Sequence, residues 1–306
     1  MSAPSPTAVD DPAVDSRGIA GALLAVSVWG LASIIPKELT MGGLAIAAYR
    51  FGMYSAAAGI AMGVRGNWLG GRVLRASFGG GVALGLDVAF FFSAIKLTSV
   101  ANATVIGALQ PVVVAIIANR FFGEVIRRRD LALGAVAIVG VAVVVFSAAA
   151  DSPTDWRGDL LAVGALFAWS GYFVMSKRAQ TAITTNEYTL GASVWVVAIN
   201  APLALAFGQS LALPTGDEWL WLAAMAIGAG VLGHAVMNWS LKQIPLWLGS
   251  TFTLLVPVVS TTAAWAFLDE PVTALQAGAI GVVLLSLAGV ITGQAGIGSR
   301  PRPLRR

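Results

Sequence analysis

Cysteine is absent from this 306-residue chain, and histidine occurs only once, as His234. Without cysteine the protein can form no disulfide, and it has no thiol nucleophile and no thiolate ligand for zinc or an iron–sulfur cluster. One imidazole is too few for the histidine clusters that hold zinc. The sequence therefore predicts neither a metal ion nor another cofactor.

Charged residues are also scarce. They make up 11% of the chain, against about 25% in soluble proteins, while 57% of the residues are hydrophobic. The mean hydropathy of +0.81 predicts an integral membrane protein in contact with lipids. The isoelectric point of 9.8 does not indicate nucleic acid binding, because the basic residues lie in short loops between apolar runs, where they report topology.

Two kinds of activity are excluded by what the apolar segments lack. No Gly-Lys dipeptide occurs, so there is no P-loop to hold ATP and drive a primary pump. An intramembrane enzyme would need paired acids, a serine–histidine pair or a metal cluster. Asp87 is the one carboxylate deep within an apolar run, so we expect that the protein is not an enzyme.

Ten stretches are long and apolar enough to span a bilayer, which takes about 20 residues each. They are residues 18–36, 40–63, 73–95, 99–120, 130–149, 158–176, 186–208, 217–241, 246–268 and 272–294. Residues 1–17 have no basic region before the first apolar run and no cleavage pattern. They are typical of a disordered cytoplasmic tail, not of a signal peptide.

The chain contains an internal repeat. Three residue types recur 146 positions apart with the same spacings of 15 and 13, as Lys96, Pro111, Glu124 and again as Lys242, Pro257, Glu270. A tryptophan followed eight residues later by a lysine also occurs twice, as Trp29 with Lys37 and Trp169 with Lys177. Repeats of this length in a hydrophobic chain are typical of transporters.

The distribution of basic residues predicts the orientation of the two halves. Of the 19 Lys and Arg, 15 lie at the termini or in loops on one side of the ten spans, and only Lys37, Lys96 and Arg157 lie on the other. The positive-inside rule places both termini in the cytoplasm. Lys96 and Lys242 then fall on opposite sides, so the second half is inverted relative to the first.

These observations predict an all-α integral membrane protein of ten transmembrane helices in an inverted 5+5 repeat. The first five-helix repeat covers residues 18–149, a periplasmic linker 150–157, the second repeat 158–294, and a basic cytoplasmic tail 295–306. We expect a monomer in the bacterial inner membrane.

This organisation resembles the drug/metabolite transporter superfamily over roughly residues 18–294. The run from Glu270 to Gly278, EPVTALQAG, is similar to the junction of helices 9 and 10 in its EamA-type exporters, and Tyr49-Arg50-Phe51 is similar to part of their second helix. The first-half junction departs from that pattern, because ten residues rather than eight separate Glu124 from Gly134. The resemblance extends to the YddG-like amino-acid exporters and implies the same fold and a small-metabolite substrate.

Arg50 and Asp87 are the first candidates for a substrate cavity. Each lies near the middle of its span, where a charge costs at least about 2.5–3.5 kcal/mol and needs a functional or structural reason. They either hold a zwitterion, with Arg50 on its carboxylate and Asp87 on its ammonium, or neutralise each other, or Arg50 caps helix carbonyls.

Further candidates follow from the matched positions of the repeat. Pro111 and Pro257 interrupt two equivalent helices and either line the cavity as hinges or simply bend the helices. Trp29 and Trp169 lie at equal depth and either form cavity walls or pack in the core. Polar or aromatic groups that add to the predicted cavity are Tyr49, Asn102, Gln110, His234 and Asn238.

Charged residues at the ends of the spans are candidates for gates or for interfacial anchors. They are Lys37, Lys96, Glu124, Lys177, Lys242 and Glu270. Together these features favour a secondary transporter that exports amino acids, neutral or aromatic, by alternating access. The alternatives are exchange of sugar phosphates, nucleotide sugars or nucleosides on the same fold, and a passive channel or lipid flippase.

Overall fold

A computed structural model of the chain describes residues 14–147 and 155–298, and these residues form helices joined by short loops, with no strand among them. Ten helical segments follow one another: α1 (Ser16–Ala32), α2 (Gly43–Val64), α3 (Gly71–Ala94), α4 (Val100–Phe122), α5 (Arg128–Phe146), α6 (Trp156–Ala179), α7 (Thr185–Ala206), α8 (Glu218–Ser240), α9 (Leu246–Leu268) and α10 (Ala274–Gly298). Eight of them, α3 to α10, are long and apolar enough to cross a membrane.

The two remaining helices are less typical spans. The first, α1, has only 17 residues, and α2 has 22 residues but carries Arg50 near its middle. The first predicted span ran to residue 36, whereas α1 ends at Ala32 and a short 3-10 helix, Ile35–Glu38, follows. Pro36 explains the difference, because proline lacks an N–H and its ring obstructs the preceding turn of an α-helix.

Three helices depart from regular α-helix in their middles. A turn at residues 108–109 divides α4 into Val100–Gly107 and Gln110–Phe122, and a turn at residues 253–254 divides α9 into Leu246–Phe252 and Leu255–Leu268. The two interruptions occupy equivalent positions in the repeat, one turn or less before Pro111 and Pro257. In α8, residues Ala226–Ala235 form a wider π-helical segment, which often marks a functional site.

Helix packing follows the symmetry of the repeat. The contact of α1 with α8 has its counterpart in α6 with α3, and the contact of α1 with α9 has its counterpart in α6 with α4. Three further pairs, α2 with α7, α4 with α9 and α5 with α10, join equivalent helices of the two halves. Small residues allow this close packing: a Cβ on Gly81 of α3 would lie 2.5 Å from the Trp195 Cβ of α7.

Parts of the predicted tails and linker lie outside the described residues. The predicted N-terminal tail, 1–17, is described from residue 14, and its last two residues already belong to α1, which the Asp15 side chain caps. The predicted periplasmic linker, 150–157, is described from Asp155, which caps α6 in the same way. Of the predicted basic tail, 295–306, the structure describes the backbone to Gly298, still within α10.

Candidate substrate site

Arg50 of α2 and Asp87 of α3 lie within electrostatic range of each other. Both are half-buried, and neither makes an ion pair within 4 Å or a hydrogen bond to any described residue. The Arg50 guanidinium lies over the Phe51 ring, 4.6 Å from its centroid. An acidic and a basic side chain therefore lie inside the helix bundle without a direct ion pair between them.

The packing of α3 against α6 fixes the depth of Asp87. Gly164 lies against Phe90 and Gly171 lies against Ala83, so the two helices run antiparallel past each other. Asp87 falls between these two contacts, and the same register places its backbone level with Phe167, two residues before Trp169 on α6.

An aromatic cluster lies where α1, α2, α6 and α8 meet. We define it as Trp29, Phe51, Trp169, Tyr172 and His234. The His234 ring centroid lies 5.1 Å from that of Trp29, 5.4 Å from Phe51 and 5.7 Å from Tyr172. Trp169 stacks on Tyr172 at 5.4 Å with an interplanar angle of 17°, and meets Trp29 edge-on at 5.3 Å. The two tryptophans of the repeat are therefore brought together.

Trp29 approaches α8 closely because residue 233 is a glycine. A Cβ there would lie 2.2 Å from the Trp29 Nε1, closer than any tolerated contact. The indole N–H donates to the Ala229 carbonyl at 3.3 Å. Gly233 is the repeat equivalent of Asp87, so one half has a glycine that receives a tryptophan where the other half has a carboxylate.

A narrow cleft joins Arg50 to the cluster. The space between its atoms, open solvent included, is about 150 Å³, and no part of it is wide enough to hold a water molecule. The cleft is lined by Arg50, Phe51, Met225, Ala226, Ala229, Gly230 and His234. Four of these residues belong to the π-helical segment of α8. The His234 Nδ1 is buried there without a hydrogen-bond partner, so an unpaired polar atom lies beside the cleft.

Asn238 lies behind the cluster and does not line it. Its side chain is fully buried, and Nδ2 donates to the Tyr172 hydroxyl at 2.8 Å and to the Thr189 hydroxyl at 3.0 Å. Its Oδ1 accepts from Ser176 at 2.8 Å, and its backbone carbonyl accepts from Gln180 at 2.9 Å. Sequence reasoning missed these partners, although Tyr172 and Ser176 of α6 and Gln180, the residue after its end, recur every four residues along one face.

Gln110 lies at the interruption of α4 and contacts the interruption of α9. Its side chain is fully buried; Oε1 accepts from the Thr253 hydroxyl at 2.9 Å, and Nε2 has no partner. Pro111 and Pro257 follow directly in the second segments of these helices. The Gln110–Thr253 hydrogen bond therefore joins the interruption of α4 to that of α9.

Two other predicted cavity residues are engaged elsewhere. Asn102 donates to Thr98 at 3.3 Å and to Asp159 at 3.4 Å, in a network that joins the beginnings of α4 and α6. The Tyr49 hydroxyl donates to the carbonyls of Leu211 and Ala212 in the loop before α8. Neither side chain contacts the aromatic cluster.

The predicted end charges differ in their surroundings. The Glu124 carboxylate receives a hydrogen bond from Lys177 Nζ at 2.7 Å and from the backbone N–H groups of Leu246 at 2.8 Å and Trp247 at 3.2 Å. It thereby links the end of α4 to the end of α6 and caps the beginning of α9. Lys96, Lys242 and Glu270 are exposed, and Lys37 belongs to the 3-10 helix Ile35–Glu38.

The duplicated helical fold, with two interrupted helices beside buried polar groups, is typical of an integral membrane transporter. The chain belongs to the EamA-like transporter family, whose model matches residues 16–146 and 156–292. The two matched segments each contain five of the helices described above.

Named relatives of this chain are themselves transporters. It is 29% identical over 177 residues to the aromatic amino acid exporter YddG of Ancylobacter novellus, a match that covers 56% of this chain and only 60% of that protein. It is 29% identical over 283 residues to a probable amino-acid metabolite efflux pump of Escherichia coli K12, which covers 86% of this chain and 90% of the pump.

A solved structure has the same fold. A chain titled only "Crystal structure of protein" superimposes with a TM-score of 0.78 over 92% of this chain and 99% of its own length, at 23% sequence identity.

Proposed function

We propose that the protein is a secondary transporter that exports amino acids, with aromatic or large neutral side chains preferred, by alternating access around the site between Arg50, Asp87 and the aromatic cluster. The observation that carries this proposal is the pair of opposite charges without partners. An amino acid is a zwitterion, and Arg50 would bind its carboxylate while Asp87 binds its ammonium.

The energetics favour a bound zwitterion over an empty site. A charge at membrane depth costs several kcal/mol unless it is paired or hydrated. Arg50 and Asp87 share no ion pair and no hydrogen bond, so a substrate with both charges would compensate both residues at once. The indoles of Trp29 and Trp169 would supply a surface on which an aromatic or apolar side chain stacks.

Alternating access accounts for the narrowness of the cleft. Since the space between Arg50 and His234 is too narrow for a water molecule, helices have to move before a substrate enters. The interruptions of α4 and α9 would serve as hinges, since broken helices at equivalent positions of inverted repeats surround the binding sites of many transporters. The contact between Glu124 and Lys177 would close the cytoplasmic side.

The basic residues support the proposed orientation. We infer that both termini are cytoplasmic and that the protein acts in the inner membrane of a bacterium, as a monomer. The bias of Lys and Arg toward one side supports this orientation. The names of the two relatives support export over uptake.

The alternative substrates fit the site less well. A sugar phosphate or nucleotide sugar carries two negative charges and would need several cations, and Arg50 is the one cation beside the cleft. A passive channel would conduct without saturation or counterflow, which separates it from a carrier.

Counterflow in proteoliposomes tests the proposed function. Vesicles loaded with unlabelled tryptophan, phenylalanine, leucine or alanine, and parallel vesicles loaded with a nucleoside or a sugar phosphate, are diluted into the labelled compound. We expect saturable accumulation of label with amino acids and none with sugar phosphates. Conductance without saturation would identify a channel, and the absence of exchange with every amino acid would refute the proposed substrate class.

A further inference from the structure

We infer that Asn238 is a positioning residue that sets the aromatic wall of the substrate site and thereby its selectivity for large side chains. This inference rests on the proposed function, because selectivity has a meaning only for a transported substrate. The residue itself touches no part of the cleft. It acts through Tyr172.

The hydrogen bonds of Asn238 hold Tyr172 in one place. Tyrosine rings in an apolar bundle can rotate and slide, but the Tyr172 hydroxyl is tied to Asn238 Nδ2 at 2.8 Å. Asn238 is itself fixed by Thr189 of α7 and by Ser176 of α6. The position of the Tyr172 ring is thus determined by three helices together, because one side chain connects them.

The Tyr172 ring in turn determines the orientation of Trp169. Trp169 is the half-buried member of the stacked pair, and its ring lies nearly parallel to that of Tyr172, at 17°. The same indole meets Trp29 edge-on and His234 at 6.1 Å. If the Tyr172 hydroxyl were released, the ring would still stack on Tyr188 at 6.1 Å but would lose its hydrogen-bonded anchor. We then expect Trp169 to adopt several orientations.

Full hydrogen bonding of Asn238 distinguishes it from an ordinary buried polar residue. Both Nδ2 hydrogens and Oδ1 have hydrogen-bond partners, and its backbone carbonyl accepts a hydrogen bond from Gln180. Such complete networks rigidify the residues that they join. Asn200 of α7 provides a contrast: it is equally buried, but Nδ2 donates only to the backbone carbonyls of Gly85 and Val196, and Oδ1 has no partner.

The test compares three variants by counterflow. Asn238→Leu removes the network while keeping the volume of the side chain, Tyr172→Phe removes only the hydroxyl, and Asn200→Leu controls for the loss of a buried asparagine. We expect the half-saturating concentration of tryptophan to rise about tenfold in the first two variants and that of alanine to change less than about twofold. In Asn200→Leu the maximal rates should stay within about twofold, and the ratio of the half-saturating concentrations of the two substrates should not change.

A double variant and a spectrum separate positioning from general destabilisation. Both changes remove the same hydrogen bond. The double variant Asn238→Leu, Tyr172→Phe should therefore raise the half-saturating concentration of tryptophan no further than either change alone. In near-ultraviolet circular dichroism, the signal that disappears in Trp169→Phe should also diminish in Asn238→Leu. This spectrum needs no substrate.

Three results would contradict the positioning role of Asn238. Equal loss for tryptophan and alanine, additive effects in the double variant, or an unchanged Trp169 signal would each overturn it. If the wild-type protein exchanges no amino acid, the proposed function and the selectivity role fail together. The spectrum alone would then decide whether Asn238 positions Trp169.

Discussion

The ammonium of Lys177 and the carboxylate of Glu124 form an ion pair of 2.7 Å between the ends of α6 and α4, helices from different repeats. Both side chains are largely shielded from solvent, with 24% and 12% of their surfaces exposed. Lys177 also donates to the Ile244 carbonyl at 3.3 Å, just before α9 begins. Three helices therefore separate on this side only when the interaction breaks.

Neutralising Glu124 should open this side of the protein. Glu124→Gln retains the shape of the side chain but removes the charge that binds Lys177 and favours the N-terminus of α9. The chain has no cysteine, so a single Ser250→Cys reports access to α9, where Ser250 is fully buried. We expect N-ethylmaleimide to label this cysteine about three- to tenfold faster in the Glu124→Gln background.

Glu187 provides the matched control for this experiment. It caps α7 within a local capping box with Thr184, and its hydrogen bonds reach no other helix. Glu187→Gln should lower stability slightly and leave the labelling of Ser250→Cys unchanged. Faster labelling in both variants would mean that general loosening, and not release of the Lys177 contact, exposes α9.

The repeat predicts the opposite effect at Glu270. This residue is the sequence equivalent of Glu124, and Thr104 of α4 is the equivalent of Ser250. Glu270→Gln should increase the labelling of Thr104→Cys and, because the two closed sides compete, decrease the labelling of Ser250→Cys. An increase at both positions, measured in the same vesicles, would contradict reciprocal gating.

The sequence alone predicted the helices and the repeat well, because both depend on patterns that composition makes visible. Apolar runs of about 20 residues predicted ten helical segments, and the 146-residue offset predicted which helices are equivalent. Matched prolines marked α4 and α9, whose interruptions at residues 108–109 and 253–254 the structure describes. These features are local in sequence and need no knowledge of packing.

Side-chain partners could not be predicted in the same way. The sequence suggested Asn238 as a cavity residue, but its contacts with Tyr172 and Thr189 depend on how three helices rotate about their axes. The hydroxyl of Tyr49 is bound to a loop 162 residues away in sequence. Hydrophobicity restricts helix rotation only weakly in a membrane, where lipid and protein interior are both apolar.

Arg50 and Asp87 should discriminate between the two charged groups of a substrate. Asp87→Asn removes the proposed partner of an ammonium, and a charged hydrogen bond of about 1.5–3 kcal/mol corresponds to about 10- to 100-fold in affinity. We expect weaker competition by phenylalanine in counterflow and unchanged competition by 3-phenylpropionate, which has no ammonium. Arg50→Gln removes the proposed partner of a carboxylate. We expect it to weaken competition by phenylalanine and to leave unchanged the competition by phenethylamine, which has no carboxylate.

Asp130 serves as the control carboxylate for these measurements. It is buried in α5 and accepts from Gln294 of α10 at 3.0 Å, away from the cleft. Asp130→Asn should lower thermal stability without changing the order of the competitors. If Asp87→Asn weakens competition by phenylalanine and 3-phenylpropionate equally, Asp87 does not bind an ammonium.

Gly233 should tolerate no side chain, because Trp29 occupies the space where a Cβ would lie, 2.2 Å from Nε1. Gly233→Ala must displace the indole and break its hydrogen bond to Ala229, and overpacking of this kind costs about 1–3 kcal/mol. Gly228 is the matched control in the same π-helical segment, since a Cβ there would meet only Val28 at 3.6 Å. We expect Gly233→Ala to lower the thermal midpoint in detergent and abolish tryptophan counterflow, and Gly228→Ala to preserve both. Equal behaviour of the two variants would show that the approach of Trp29 to α8 is dispensable, because only Gly233→Ala removes it.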